Sequence, residues 1–396
     1  MIWVVNTVSE QTDICDGNSG IKFITGVRRS GKSKLLESFK DYIERTNPDA
    51  HIIHINFNLV KYECYKDYHV LNDYIEGSWK EGSDNFVLID EVQMCPDFEL
   101  AINNLHAMEK FDIYITGSNA FLLSSDLATL FTGRTFEIHV YPFSFKEFIQ
   151  YYELTDYYRA FDQYLREGGM SGSYLYRDMS AKYDYISDVY ETLIVRDIRQ
   201  KYRIRNIVLM DRIADFLMDN VSNLTSARKI AETLTGQKDK INHKTVGSYL
   251  EYLCNAFAFY KIRRYDIHGK KYLSSSDKYY LCDHAFRYAR LGTKNPDRGR
   301  MIENIVAIEL KRRGYEVYAG VLYQKEIDFV AIRRNEKIYI QVSADISGEA
   351  AFDREVSPLL QIRDAYPKIL LARTRDDAYQ YEGIRIVDVA DWLAEE

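Results

Sequence analysis

The chain is 396 residues long, 46% hydrophobic and 28% charged, a composition that excludes a largely disordered or fibrous protein and leaves material for two to four domains. Its formal charge of −7 excludes a globally basic nucleic-acid binder, so any such contact must use a local patch. No apolar run reaches the roughly 18 residues of a membrane span, the first residues do not read as a signal peptide, and the five cysteines form no C-x-x-C pair, which together argue for a reduced, cytoplasmic setting without a membrane.

In chain order, Ile21–Thr25 reads as a strand and Lys32 to about Arg45 as a helix, with Leu35, Leu36, Phe39 and Ile43 at helical spacing. Pro48 stops that helix. His51–Phe57 reads as a strand, Tyr68 to about Trp79 as a helix, Phe86–Ile89 as a buried strand, Glu99–Lys110 as a helix, and Ile113–Thr116 and Phe136–Val140 as two more strands. This alternation predicts a mostly parallel sheet covered on both faces. From Ser144 to about Arg205 the periodicity is helical, interrupted at Gly168-Gly169. Ile207–Asp219, Ser226–Leu234 and His243–Asn255 read as three helices, followed by strands near Phe257–Tyr265 and Lys271–Leu273 around a His268-Gly269-Lys270 turn. That order predicts a winged helix-turn-helix. After a Thr293–Gly299 linker, Met301–Arg313 reads as a helix. Strands are expected near Tyr315–Ala319, Glu326–Arg333 and Lys337–Val342, a helix near Phe352–Ala365, and strands at Lys368–Ala372 and Ile384–Val387, making a second α/β unit.

The stretch Gly26-Val27-Arg28-Arg29-Ser30-Gly31-Lys32-Ser33 fits G-x-x-x-x-G-K-[ST], between a strand and a helix as that motif requires. Glycines let backbone N–H groups curl around phosphate oxygens, and the helix presents its positive end to the anion. Lys32 is the candidate partner of the β- and γ-phosphates, and Ser33 of Mg²⁺. Asp90 and Glu91 emerge from the apolar strand Phe86–Ile89 at the end where α/β sheets bind ligands. Asp90 would hold the Mg²⁺ shell and Glu91 would polarise the attacking water, which favours hydrolysis of ATP over its use as a kinase donor. Ser118 and Asn119, after the Ile113–Thr116 strand, are candidate γ-phosphate contacts, a locally capped turn being the alternative. Arg134 is a candidate finger completing a neighbouring subunit's site in a homo-oligomer, a surface arginine being the alternative.

On these motifs the chain resembles the prokaryotic AAA-superfamily ATPases that carry a C-terminal domain of unknown function. The resemblance rests on Thr25–Ser33, Leu88-Ile89-Asp90-Glu91-Val92-Gln93, Thr116–Asn119, Thr132-Gly133-Arg134, Tyr141–Phe148, Gly168-Gly169, Val195–Ile198 and Glu326–Val330. It implies ATP, Mg²⁺ and hydrolysis. It also implies a restriction-endonuclease-like fold for the last segment, with Glu303 and Asp328 in the positions of the metal-binding carboxylates. Gln341 and Ser343 stand where that pattern requires Glu and Lys, so the resemblance implies a nuclease fold without hydrolytic activity.

The expected architecture is therefore α/β: a P-loop ATPase core over residues 1–143, a helical subdomain over 144–205, a winged helix-turn-helix over 206–290 and a restriction-endonuclease-like domain over 300–396. Between Lys201 and Tyr265 there are 12 Lys/Arg against 6 Asp/Glu, a local +6 that leaves −13 for the remainder. Lys244, Thr245 and Tyr249 are the residues expected to face DNA, with Lys270 and Lys271 on phosphates. A protein-binding or packing role for the same module is the alternative, and the function expected is a nucleotide-controlled switch on DNA or on a protein partner, the alternatives being an ATP-dependent nuclease that uses the last segment and a purely protein-binding ATPase adaptor.

Overall fold

A computed structural model describes residues 20–117, 131, 133–236, 241–269, 271–292 and 297–395. The chain divides into two compact units, Met1–Tyr141 and Pro142–Glu396. In the first, β1 (Ile21–Thr25), α1 (Lys32–Thr46), β2 (His51–Asn56), α2 (Tyr68–Gly77), β3 (Asn85–Asp90), α3 (Phe98–Ala107), β4 (Asp112–Thr116) and β5 (Thr135–His139) follow one another. The five strands form one parallel sheet in the order β2-β3-β4-β1-β5. Successive strand residues point to opposite faces, so Leu88, Tyr114 and Ile138 pack with Leu36, Phe39 and Ile43 of α1 on one side. Val87, Ile89, Ile113 and Ile115 pack with Leu71 and Ile75 of α2 and Ile102 and Leu105 of α3 on the other. Burial on both faces is why Val87–Ile89 of β3 and Ile113–Ile115 of β4 are continuous apolar runs. The carboxylate of Asp67 accepts the N–H groups of His69 and Val70 and so sets the start of α2. The preceding turn of 3₁₀ helix, Val60–Lys66, had no periodic signal in the sequence.

The second unit opens with α4 (Phe145–Tyr151), α5 (Tyr157–Glu167), α6 (Met179–Glu191), a π-helical turn (Thr192–Ile198) and α7 (Arg199–Tyr202). Ser144 and Glu147 form a reciprocal capping box at the head of α4. The Gly168-Gly169 break is a close approach. A Cβ on Gly169 would lie 2.2 Å from the Phe143 carbonyl oxygen, and one on Gly168, at φ +70°, 2.2 Å from the Asp283 carboxylate.

Helices α8 (Ile207–Asp219), α9 (Ala227–Leu234) and α10 (His243–Asn255) precede strands β6 (Phe259–Asp266) and β7 (Lys271–Leu281). Then come α11 (Ala285–Leu291), α12 (Arg298–Arg312), β8 (Glu316–Leu322), β9 (Lys325–Arg333), β10 (Glu336–Ser343), α13 (Glu349–Leu360), β11 (Lys368–Ala372), β12 (Tyr379–Tyr381), β13 (Ile384–Asp388) and α14 (Val389–Ala394). The hairpin expected to stand out as a wing is instead the edge of an eight-stranded sheet, β12-β13-β11-β10-β9-β8-β6-β7, whose other six strands come from the last segment. Strand β6 pairs parallel to β8, Arg264 opposite Ala319 and Asp266 opposite Val321. Pairing satisfies an edge that would otherwise leave backbone groups open, and it lets Tyr265 and Ile267 join Leu322, Ile327 and Tyr339 in one core. Strand β7 is also longer than its apolar signal. The strand expected to end at Leu273 continues through residues 274–277 to Leu281, with a register shift opposite Ile262–Arg264 and Ser276 at φ +50°.

Candidate nucleotide-binding site

The loop between β1 and α1 is built by backbone that only glycine adopts easily. Gly26 has φ +141° and Gly31 φ +106°, and a Cβ on Gly26 would lie 2.1 Å from the Val140 carbonyl oxygen. Leu35 N–H donates to Gly31 O at 2.9 Å, which starts α1, and Ser30 N–H donates to Val27 O at 3.2 Å, which folds the loop back on itself. Lys32 Nζ donates to Gly26 O at 2.8 Å and Val27 O at 3.0 Å, so its ammonium lies against the loop. Val27 is buried and contributes backbone, Arg28 is half-buried, and Arg29 is exposed at φ +65°. Ser30 Oγ is buried with no hydrogen-bond partner among the described residues. A buried hydroxyl without a partner is uncommon and calls for a ligand or a solvent group.

Strand β3 brings Asp90 to the same end of the sheet. Ser33 Oγ donates to Asp90 Oδ1 at 3.1 Å, joining the helix that follows the loop to the acidic strand. Thr116 Oγ1, at the end of β4, donates to the same carboxylate oxygen and accepts the Glu91 N–H at 3.2 Å. Burial raises the pKa of Asp90 and the adjacent Glu91 adds to this, while the Thr116 and Ser33 hydroxyls pull it back. Glu91 sits in the left-handed region, φ 59° and ψ 46°, a conformation that costs a non-glycine residue on the order of 1–3 kcal/mol. Its carboxylate accepts a hydrogen bond from the Gln93 amide, a contact not foreseen from the sequence. Also unforeseen is the anchor beneath the loop: Thr25 Oγ1 donates to Glu137 Oε1 at 2.6 Å and lies 2.9 Å from His139 Nδ1. The His139 hydrogen bond, followed by that from Thr25, holds the Glu137 carboxyl below its usual range. Alternating polar residues in Thr135–His139 were the available signal for this network.

The structure thus brings Gly26–Ser33, Asp90 and Glu91 together. It does not bring Arg134 to them. Ile21 N–H donates to Arg134 O at 2.7 Å, which fixes Arg134 at the amino end of the parallel sheet, whereas the loop follows the carboxyl end of β1. Five residues of strand separate the ends by about 16 Å, beyond the reach of one side chain, so the exposed Arg134 is no finger for the loop of its own chain. Ser118 and Asn119 lie outside the described residues.

The second unit carries an open polar cleft. Glu303 of α12 and Asp328 of β9, the two carboxylates singled out in the sequence, both line it. Gln341 Oε1 accepts the Asp328 N–H at 3.3 Å while its Nε2 donates to Glu355 Oε2 at 2.9 Å, so the amide uses both of its ends. A carboxylate at 341 would oppose that of Glu355. Ser343 Oγ turns to the Asp345 carbonyl at 3.0 Å. The residue the sequence did not flag is Lys278 of β7, whose ammonium is buried against Glu303, Glu326 and Asp328. Burial alone would lower its pKa, but the three carboxylates outweigh it and the net shift is upward. Burial, followed by the charge of Glu303, pushes Asp328 up.

On α10, Lys244 is exposed and Thr245 half-buried, but Tyr249 is buried beside Val246, Leu250 and Leu253. The expectation that Tyr249 faces DNA is therefore wrong: residues 246, 249, 250 and 253 share the inward face of that helix. Lys271 is exposed at the start of β7, and Lys270 lies outside the described residues. No helix among the described residues is long and apolar enough to cross a membrane.

A parallel sheet whose P-loop faces an acidic strand end is the architecture of a P-loop ATPase core, and residues 18–149 match the model of an AAA domain. Residues 158–297 match a domain of unknown function, DUF8612, which runs without a break from the helical segment through the β6–β7 hairpin. The chain belongs to the same family as an uncharacterized protein of Haemophilus influenzae, 37% identical over 379 residues and 94% of both chains. An uncharacterized protein of Methanocaldococcus jannaschii is 26% identical over 94% of this chain and 85% of its own. Among solved structures, a Walker-type ATPase of Pyrococcus abyssi is similar at 16% identity and a TM-score of 0.47, over 73% of this chain and 95% of that one. An AMPPCP-bound DnaA from Aquifex aeolicus is similar at 16% identity and a TM-score of 0.32, over 62% and 86%.

Proposed function

We propose that this protein binds and hydrolyses ATP with Mg²⁺ and uses that cycle to switch the state of residues 142–396 toward a partner. The observation that carries the reading is the Gly26–Ser33 cradle with a partnerless buried Ser30 hydroxyl beside the Ser33–Asp90 hydrogen bond. Its residues fit a triphosphate and its cation: backbone N–H groups and Lys32 for phosphate oxygens, Ser33 and Asp90 for Mg²⁺. The bound cation would supply charge neutralisation at the phosphates. Glu91 orients and deprotonates the attacking water, and Gln93 holds the Glu91 carboxylate in place. Glu91→Gln should keep ATP affinity within about threefold and lower turnover by about 10²-fold or more. Wild-type turnover in that variant would overturn the assignment of Glu91.

For the partner, we favour DNA contacted through the first turn of α10, because Lys244 is exposed there in the locally basic stretch Lys201–Tyr265. A DNA affinity that falls steeply with salt and weakens in Lys244→Ala supports this; salt-independent or absent binding favours a protein partner. The domain limits 144–205, 206–290 and 300–396 belong to the same reading, as do the winged-helix order of α8–α10 with its hairpin and the nuclease-like ancestry of the last segment, now without cleavage activity. A role for Arg134 in the site of a second copy remains part of the proposal through its exposure alone, with cytoplasmic residence.

A further inference from the structure

The C-terminal cleft gathers carboxylates from separate elements: Glu303 from α12, and Glu326 and Asp328 from alternate positions of β9. Such a set attracts a divalent cation, and the nuclease resemblance implies one. The residues present do not fit that group, because the space between the carboxylates already holds a positive charge. Lys278 Nζ lies 2.9 Å from Glu303 Oε1, within hydrogen-bonding distance of Glu326 Oε1, and 3.8 Å from Asp328 Oδ1. The lysine side chain is 3% exposed, so it is a built part of the interior and not a surface group resting on the cleft.

The surroundings are arranged for an ammonium. Tyr280 OH, two residues along the same strand face, donates to the same Glu303 oxygen at 2.6 Å. Asn304 brackets the Leu281 backbone, accepting its N–H at 2.7 Å and donating to its carbonyl at 3.0 Å, which fixes α12 against β7 three residues beyond the lysine. The second Asp328 oxygen is occupied by the Val342 N–H at 2.8 Å. Glu355 accepts from Gln341 at Oε2 and from two Arg354 nitrogens, Nε and Nη2, at Oε1. An ammonium accepts this asymmetric shell; a divalent ion would need Glu303 and Asp328 turned to a common centre free of competing donors.

We propose that Lys278 stands in place of a divalent cation, making the cleft a metal-independent ionic clasp that fastens the β6–β7 hairpin to α12 and β9. The inference goes beyond the absence of cleavage activity, since it concerns what neutralises the cleft. The clasp excludes Mg²⁺ and Mn²⁺ as long as the lysine is present, and removing the lysine uncovers a cation site.

The test is Mn²⁺ binding by the full chain without nucleotide, followed by electron paramagnetic resonance of the free ion. An Asp90→Ala background removes the acidic ligand of the first unit. With Lys278 intact, adding Asp328→Asn should change Mn²⁺ binding by less than twofold. Lys278→Ala or Lys278→Gln, shown to be folded by circular dichroism, should gain one Mn²⁺ per chain bound at least tenfold more tightly, and Asp328→Asn should abolish the gain. Asp328-dependent Mn²⁺ binding in the lysine-containing chain overturns the inference, as does a folded lysine variant that gains nothing. If neither lysine variant folds, the first comparison decides alone. Plasmid cleavage lost in Asp328→Asn would instead overturn the reading of the segment as inactive, and metal binding without cleavage would leave that reading standing.

Discussion

Gly26→Ala isolates what the phosphate loop contributes, because the structure separates two costs. An alanine at φ +141° is strained by on the order of 1–3 kcal/mol. In addition its Cβ would lie 2.1 Å from Val140 O, and that carbonyl belongs to the residue just after β5, whose N–H donates to Thr25 O at 2.8 Å. The methyl therefore cannot be relieved without parting β5 from β1 at the mouth of the loop. Gly31 provides the control: it has φ +106°, but no atom within 4 Å of its Cβ position, so Gly31→Ala carries strain without collision. If the strain falls on the binding-competent loop alone, about 1.4 kcal/mol per factor of ten converts it to roughly a 5- to 150-fold loss of ATP affinity for Gly31→Ala, with a larger loss for Gly26→Ala. Affinities measured by titration calorimetry, with urea midpoints to confirm that both variants fold, give the comparison. Gly26→Ala binding within twofold of wild type, or more tightly than Gly31→Ala, would refute the reasoning.

Three further outcomes follow from the geometry. Folding raises the pKa of Asp90 above its ordinary value of 3.8, so ionising it opposes folding progressively as pH rises past that value. Without nucleotide, Asp90→Asn should therefore be more stable than wild type at pH 7, with the difference shrinking as pH falls toward 4; equal urea midpoints at both pH values would count against a buried, destabilised carboxylate. Asp283 accepts the Gly169 N–H at 2.6 Å and the Ala285 N–H at 2.8 Å in the interior. Asp283→Ala leaves both buried donors unpaired, at about 1–3 kcal/mol each, so chemical denaturation should show a loss of about 2–6 kcal/mol, and a loss below about 1 kcal/mol would mean the contacts are replaceable. Gln93→Ala should lower kcat while leaving the ATP dissociation constant within about threefold, since the amide touches Glu91 and not the loop; an unchanged kcat removes Gln93 from the positioning of that carboxylate.

The first unit was legible in the sequence because its central strands, β1, β3 and β4, are buried on both faces. Val87, Leu88 and Ile89 are wholly buried, and a run of that kind has few other homes. The loop was legible for a related reason, since its glycines and Lys32-Ser33 answer local backbone and phosphate requirements. What was not legible depends on partners distant in the chain. The destination of the hairpin is set by a strand more than fifty residues later, β8, which β6 joins in parallel. Lys278, in Ser274-Ser275-Ser276-Asp277-Lys278, carries no local mark of burial; only the convergence of Glu303, Glu326 and Asp328 gives it a role. Tyr249 was misplaced because a helix of mixed polarity does not say which stripe faces inward until its neighbours are known. Arg134 precedes a strand, as foreseen, but which end of the sheet it occupies follows from β5 running parallel to β1.

The most direct test of the account is calorimetric titration of ATP with Mg²⁺ into the full-length protein, beside Lys32→Ala. One ATP bound per chain by the wild type, and none detectable in a folded Lys32→Ala variant, is the predicted result. A folded wild type that takes up no ATP, or a Lys32→Ala variant that binds it equally well, would contradict the assignment of Gly26–Ser33 as the nucleotide site.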